Sequence, residues 1–247
     1  MDRTARGWID GFIGIVIFSG SLPATRIAVF GLDPVFLTTA RAAIAGGLAA
    51  AILIVFRAAR PGRRDLAQLV VIALGVVVGF PLFTALALTR VTAAHSVVFI
   101  GLLPLATAAF GVLRGGERPR PGFWLFACLG SALVAGFAMA DGVATDPVGD
   151  LLLLVAVLVC ALGYAEGAQL SRKLGGWQVI SWALVLSLPV MAPLALASMP
   201  PAPAAVAPAA WAGLGYVALF SMLIGFIFWY RGLAAGGGFG KRTLGGG

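Results

Sequence analysis

Eight long apolar runs, at about 9–30, 34–56, 66–89, 93–113, 122–140, 150–171, 178–199 and 209–231, leave this chain few folds to choose from. Each is close to the ~20 residues a helix needs to cross the hydrocarbon core of a bilayer. The runs are continuously apolar rather than alternating with period two, which excludes the strands of a membrane barrel. The separators are short and rich in turn residues: "GLDP", "RAARPGRRD", "RGGERPRPG", "ADGVATDPVGD", "RKLGG" and "PPAPAAVAP". Such connections set consecutive helices side by side and antiparallel. Only 11% of the 247 residues are charged and 61% are hydrophobic, against about a quarter charged in a soluble domain. A soluble fold of this make-up would expose large apolar patches, so the expected class is an all-α polytopic membrane protein.

The net charge is +8 and the isoelectric point is near 10.7, values that in a soluble chain would suggest nucleic acid. Here the basic residues follow the loops instead. With the N-terminus in the cytoplasm, the inner segments hold Arg3, Arg6, Arg57, Arg60, Arg63, Arg64, Arg114, Arg118, Arg120, Arg172, Lys173, Arg231, Lys241 and Arg242, fourteen of the seventeen Lys and Arg. The outer loops hold Asp33, Asp141, Asp146 and Asp150, with Arg90 alone among the basic residues. That bias predicts a multi-pass protein of the inner membrane with no nucleic-acid partner. Cys128 and Cys160 lie within apolar runs and read as small buried hydrophobes rather than a disulfide or metal pair. The first run is followed by a Pro and an Arg rather than a small-residue cleavage site, so no cleavable signal peptide is expected.

Internal repetition is the next signal. "FPLFTALALTRVTAA" (80–94) lines up with "SMLIGFIFWYRGLAA" (221–235), setting Arg90 against Arg231; "DGFIGIVIF" (10–18) lines up with "DLLLLVAVL" (150–158), setting Asp10 against Asp150. The two matches have the same order and stand 141 and 140 residues apart. Five helices separate the equivalents, an odd number, so the copies must insert with opposite topology, a device common in secondary transporters.

With "TTARAAIAGGLAA", "ALALTRVTAAHSVVFIGLLPLATAAFGVLRGGERP", "GDLLLLVAVLVCALGYAEGAQLSRKL" and "FWYRGLAAGG" in this order, the sequence resembles the drug/metabolite transporter superfamily, EamA type, and in particular its bacterial amino-acid exporters. The resemblance runs over about residues 8–237. It implies an inverted-repeat bundle of ten helices, of which eight are readable here. Residues 1–140 would form the first five-helix repeat and 141–237 a second repeat with three helices. Residues 238–247, within "GGFGKRTLGGG", form a glycine-rich basic tail too short to span. That tail reads as an altered or truncated end or a linker, or as the close of a natural eight-helix variant. The function implied is export of small polar metabolites, amino acids above all, by alternating access through a central cavity between helices 1, 3, 4, 6 and 8, without cofactor or metal.

Polar residues inside the runs supply the candidate site. Arg26 lies ~22 Å from the inner end of helix 1 and Arg41 ~10 Å from the outer end of helix 2, at 1.5 Å per residue. Each reads either as a snorkelling cation with Asp33 or Asp141 as counter-ion or as an anchor for a substrate carboxylate. Glu166 falls six residues before Arg172, toward the inner face. It serves proton coupling or a substrate ammonium, or else stands at the interface capped by Lys173. His95, the single histidine, lies two or three residues into helix 4 at the cavity rim, where a hydrogen bond to a loop carbonyl is the plain alternative to function. Ser19, Ser21 and Ser221, with Gly20, Gly163 and Gly225, are mid-depth small residues that allow close packing. With Pro23, Pro81 and Pro104 they also predict helices bent around a pocket. Phe80, Phe83, Phe99 and Tyr164 would wall that pocket, while Trp229 and Tyr230 read as an interfacial pair.

Enzyme chemistry finds no footing: the chain has no H-E-x-x-H, no paired carboxylates, no phosphate-binding glycine loop and no Cys/His cluster. Two alternatives to amino-acid export stay open. One is export of amphipathic cations or drugs, for which Glu166 is the discriminating acid; the other is a non-transporting membrane assembly protein. Oligomeric state is not legible.

Overall fold

The computed structural model describes residues 3–116, 119, 121–140 and 146–236, and within them the regular structure is entirely helical. Helices α1 (Arg3–Ser19) and α2 (Ser21–Val29) form the first span, and α3 (Pro34–Val55) the second. The third runs through α4 (Arg63–Ile72), a π-helical stretch Ala73–Gly79, and α5 (Phe80–Leu88). The fourth is α6 (Ala93–Ile100) followed by α7 (Leu103–Gly115). Next come α8 (Pro121–Ala140), α9 (Pro147–Leu174) and α10 (Gly176–Ala197). The last span is α11 (Pro208–Tyr216), a second π-helical stretch Val217–Ile224, and α12 (Gly225–Gly236). Seven of these spans are long and apolar enough to cross a membrane, and α8 supplies a further 20-residue apolar helix. The polytopic all-α architecture expected from the apolar runs is therefore the one observed.

The starts of the helices follow the Asp-Pro turns. Asp33 Oδ1 accepts the amides of Val35 at 2.8 Å and Phe36 at 3.2 Å, with Pro34 in the first turn. Asp146 Oδ1 does the same for Val148 at 3.0 Å and Gly149 at 2.9 Å. Each pair satisfies amides that no helical carbonyl can reach. The Gly149 amide first, then Arg90 and the Val148 amide, hold the Asp146 carboxyl below the usual carboxylate range, against an opposing effect of burial. Gly175, at φ +89°, ends α9 and turns directly into α10. Only glycine adopts that conformation without strain.

Three of the interruptions coincide with the prolines. Pro23 follows the break between α1 and α2, Pro81 follows the first π-helical stretch, and Pro104 follows the break at Gly101–Leu102. By contrast Pro189 and Pro193 lie inside α10, which continues through both, and the stretch Val217–Ile224 departs from α geometry with no proline in it.

The core gathers where α3, the third span, α9, α10 and the last span meet. It buries Ile72, Val76, Cys160, Ile180, Leu184 and Met222, among others. Tyr230 is wholly buried there, so it is no interfacial anchor; Trp229 is half-buried against the same cluster and its indole nitrogen has no partner among the described residues. The hydroxyl of Tyr230 reaches the Gly163 carbonyl at 3.5 Å, which explains why an amphipathic ring sits inside instead of at the headgroups. Cys160 is buried as expected, but Cys128 on α8 is exposed.

Close approach of the third span to α9 depends on small residues. A Cβ on Gly75 would stand 2.3 Å from the Val159 carbonyl oxygen, and one on Gly163 would stand 2.5 Å from Val76 Cγ2. The first clash is with backbone, which cannot rotate away. Gly75→Ala is expected to force the two helices apart at a cost of about 1–3 kcal/mol, read as a lower Tm in detergent. Gly47→Ala, within α3 and with nothing within 4 Å, should leave Tm level or raise it slightly, since alanine favours a helix over glycine. Equal Tm values for the two variants would contradict this packing.

Candidate functional site

Basic side chains collect at one end of the bundle, here called the basic end (Arg57, Arg60, Arg114, Arg172, Lys173, Arg231), and Asp33, Asp146 and Asp150 at the other, the acidic end. Between them, three helical segments bring polar groups together. Ser21 opens α2 just after the break at Gly20, Ser221 lies in the second π-helical stretch, and Arg41 is two turns into α3. Ser21 Oγ donates to Ser221 Oγ at 2.8 Å, and Arg41 Nη2 donates to the same oxygen at 3.2 Å. A π-helical turn shifts the register of the residues after it, and such turns gather at functional sites; this one presents Ser221 to α2 and α3 together. Beside the cluster Tyr216 donates its hydroxyl to the Ile17 carbonyl at 2.7 Å, supporting the broken backbone of the first span.

The electrostatics of this cluster are one-sided. Arg41 is 5% exposed and, among the described residues, its Nε has no partner. Among the described residues no carboxylate pairs with it: each carboxylate in an ion pair is matched to another cation. Ser221 Oγ accepts two hydrogen bonds and so keeps its own proton for an acceptor. Among the described residues the cluster thus offers a guanidinium and a hydroxyl as donors and no anion. A buried cation without a counter-charge is costly, and the group that best completes such a donor set is a carboxylate.

The other candidates divide. Ser19, on the far side of the Gly20 break, is exposed and bonds back to the Val16 carbonyl of its own helix at 2.7 Å. It is therefore not part of the cluster; the break turns it away from Ser21. Arg26 does not pair with Asp33, whose carboxylate is used in capping α3. Its Nη1 donates to the Leu88 carbonyl and its guanidinium stacks 4.6 Å from the Phe30 ring centroid. Asp141, the other counter-ion considered, lies outside the described residues, as do Glu117, Arg118, Arg120 and 237–247. Phe80 is half-buried against the central core and Phe83 is half-buried. Phe99 packs with Ala87, Val91 and Leu153. Tyr164 is buried in an aromatic group with Phe226, Trp229 and Tyr230, at centroid distances of 5.9, 5.5 and 6.4 Å. Among the described residues no hydrogen bond or ring contact joins these four to Arg41.

Glu166 is 3% exposed and is not capped by Lys173. Its Oε1 accepts from Arg114 Nε at 2.7 Å and its Oε2 from Gln68 Nε2 at 2.9 Å, tying α9 to α7 and α4. Lys173 reaches instead to Asp65, at 2.6 and 2.9 Å. About two helical turns separate the tethers on α9, so Glu166 and Lys173 share a face and both reach α4, at Gln68 and at Asp65. His95 likewise has a different partner from the loop carbonyl expected: its Nε2 lies 2.5 Å from Asp150 Oδ1, and its buried Nδ1 is unpaired. Thr92 Oγ1 caps α6 through the His95 amide at 3.1 Å, which fixes the ring over the first turn of α9. Gln68 and Asp65 have no role in the sequence reading; Arg114 enters it only as loop charge, and Asp10 and Arg231 only as repeat equivalents, not as the pair they form at 3.2 Å. Each sits at a run's edge, where charge reads as loop composition, so only the meeting of distant helices identifies it.

Comparisons with known proteins agree with this architecture. The model of the EamA-like transporter family matches residues 6–138 and again 147–239. A Bacillus subtilis (strain 168) protein described as the uncharacterized transporter YdeK is 64% identical over 237 residues, covering 96% of this chain and 83% of that protein. An uncharacterized transporter from Archaeoglobus fulgidus is 25% identical over 222 residues, covering 89% of this chain and 77% of its own length.

Proposed function

The chain belongs to the EamA-like transporter family, and from that premise we propose that it exports small polar metabolites, amino acids above all, by alternating access. It is a multi-pass membrane transporter whose substrate is a small molecule. The substrate carboxylate is received between Arg41, Ser21 and Ser221. The observation that carries this reading is the buried Arg41 guanidinium with an open donor and, among the described residues, no carboxylate paired with it. Glu166, the acid a cation exporter would use, is already held by Arg114 and Gln68, which favours an anionic group on the substrate.

Counterflow into proteoliposomes tests it, with a panel of amino acids set beside their carboxamides. Amino acids are expected to exchange and the amides, which lack the carboxylate, are not. Equal exchange of amides, or of organic cations alone, would refute the assignment.

Alternating access is carried by two copies, 1–140 and 141–237, of opposite topology. Three observations support this: α1 packs along α12 as α5 packs along α9, both the third and last spans contain a π-helical stretch, and Asp10 meets Arg231 at the basic end. The symmetry mates Asp150 and Arg90 stand at the acidic end, where they bind His95 and Asp146. The positive-inside rule puts the basic end in the cytoplasm. In a Cys-free background, Arg60→Cys should be labelled by a membrane-impermeant maleimide only in inverted vesicles, and Ala202→Cys in intact cells. The reverse pattern would invert the topology.

A further inference from the structure

At the basic end, α3 finishes on an arginine where glycine is usual. The Ala58 amide closes on the Leu53 carbonyl at 2.9 Å and the Arg57 amide on the Ile54 carbonyl at 3.1 Å, with Arg57 at φ +48°. Among the described residues it is the only non-glycine at positive φ. Helices commonly end this way, but on glycine, because a β-carbon is strained there. Backbone amides already satisfy these carbonyls, so the helix end does not need the guanidinium. Strain kept in place for a side chain is a pointer to what that side chain binds. Among the described residues neither the Arg57 nor the Arg60 side chain has a hydrogen-bond or ion-pair partner. The two arginines line a concavity of about 390 Å³ with Ala58, Leu53 and Ile54, closed on the α10 side by Trp182. Phe56 meets Trp177 edge-on at 5.9 Å, which fixes the start of α10 beside the end of α3.

We propose that this concavity binds an anionic phospholipid, its phosphate between Arg57 and Arg60 and the first part of an acyl chain along Leu53, Ile54 and Trp182. The lining has the polarity of such a lipid. Two guanidiniums with no acid among them suit the acceptor oxygens of a phosphate. The apolar residues stand deeper in the bilayer: Leu53 and Ile54 lie about one helical turn before Arg57, and Trp182 lies ~9 Å into α10. Ile54 is 75% exposed on the outside of the bundle, where a lipid chain can reach it. The volume falls within the ~300–1,000 Å³ of sites for drug-sized ligands, more than an inorganic anion fills. Cationic side chains just beyond a span are also where anionic headgroups gather. Arg41 lies sixteen residues back along α3, ~24 Å away, so lipid binding and the carboxylate reading are tested separately.

The test uses the full-length chain in a neutral detergent, with the rise in Tm as the readout. Dioctanoyl phosphatidylglycerol is the probe, dioctanoyl phosphatidylcholine the zwitterionic control, and glycerol phosphate the anion without chains. A saturable rise is expected with phosphatidylglycerol, and none with the other two at the same concentrations. Arg60→Gln should raise the half-saturating concentration by about tenfold, the loss of one charge-assisted hydrogen bond. Arg57→Gly should do the same while raising the lipid-free Tm, because glycine relieves the strained turn. Arg6→Gln, exposed at the same end but outside the concavity, controls for the loss of one positive charge and should leave half-saturation unchanged. An equal rise with phosphatidylcholine or with glycerol phosphate would overturn the lipid assignment. So would half-saturation unchanged in both Arg57→Gly and Arg60→Gln, or shifted equally in Arg6→Gln.

Discussion

Replacing Arg41 by Gln in the reconstituted full-length chain is expected to weaken the apparent affinity for an amino-acid substrate by roughly 10- to 100-fold, the value of about 1.5–3 kcal/mol for a hydrogen bond to a charged group. Discrimination between the amino acid and its carboxamide should collapse at the same time, because the guanidinium is the group that distinguishes them. Arg41→Lys restores a point charge without the two-pronged donor geometry, so affinity should fall between the parent and the Gln variant. Thermal stability separates the site from the scaffold. A structural ion pair loses about 3–5 kcal/mol when one partner is removed, but Arg41 has no carboxylate partner to strand among the described residues. Its removal should leave Tm level or raise it. A large fall in Tm with unchanged substrate affinity would make Arg41 a scaffold residue and remove the ground for the carboxylate assignment.

Glu166 should behave in the opposite manner. It is the point where α9, α7 and α4 are joined through Arg114 and Gln68, so Glu166→Ala strands two donors at once. The loss should be about 1–3 kcal/mol, as for a charged hydrogen bond, rather than the larger figure for a fully buried pair. The Arg114 side chain is 54% exposed and turns to water or headgroups when released. Glu166→Gln keeps the shape and one acceptor while removing the charge. If Glu166 carries the proton, counterflow persists in that variant and transport driven by a pH gradient stops. Equal pH-driven rates in parent and Gln variant would leave Glu166 as an inter-helix tie only.

Much of the scaffold was legible from residue types in order. Hydrocarbon tolerates only backbone whose polar groups are satisfied within the segment, so an apolar run of some twenty residues has one outcome, and all the runs became helices. The Asp-Pro turns were readable for a local reason: cap, proline and amides lie within three residues of one another. Pro23, Pro81 and Pro104 marked three interruptions because a proline removes an amide wherever it stands. Pro189 and Pro193 show the limit of that rule, since packing carried α10 through both.

Which polar residue meets which was decided by tertiary structure. Ser19 and Ser21 are two positions apart and chemically identical, yet the break at Gly20 sends one outward and the other to Ser221. The π-helical turn that carries Ser221 has no proline in it to announce it. Tyr230 and Glu166 resemble interfacial residues in the linear order and are buried because distant helices close over them. Apolar length and turn chemistry act over a few neighbours and are written in the chain. Hydrogen bonds such as Arg41–Ser221, 180 positions apart, exist only once helix packing has set each side chain's direction and depth.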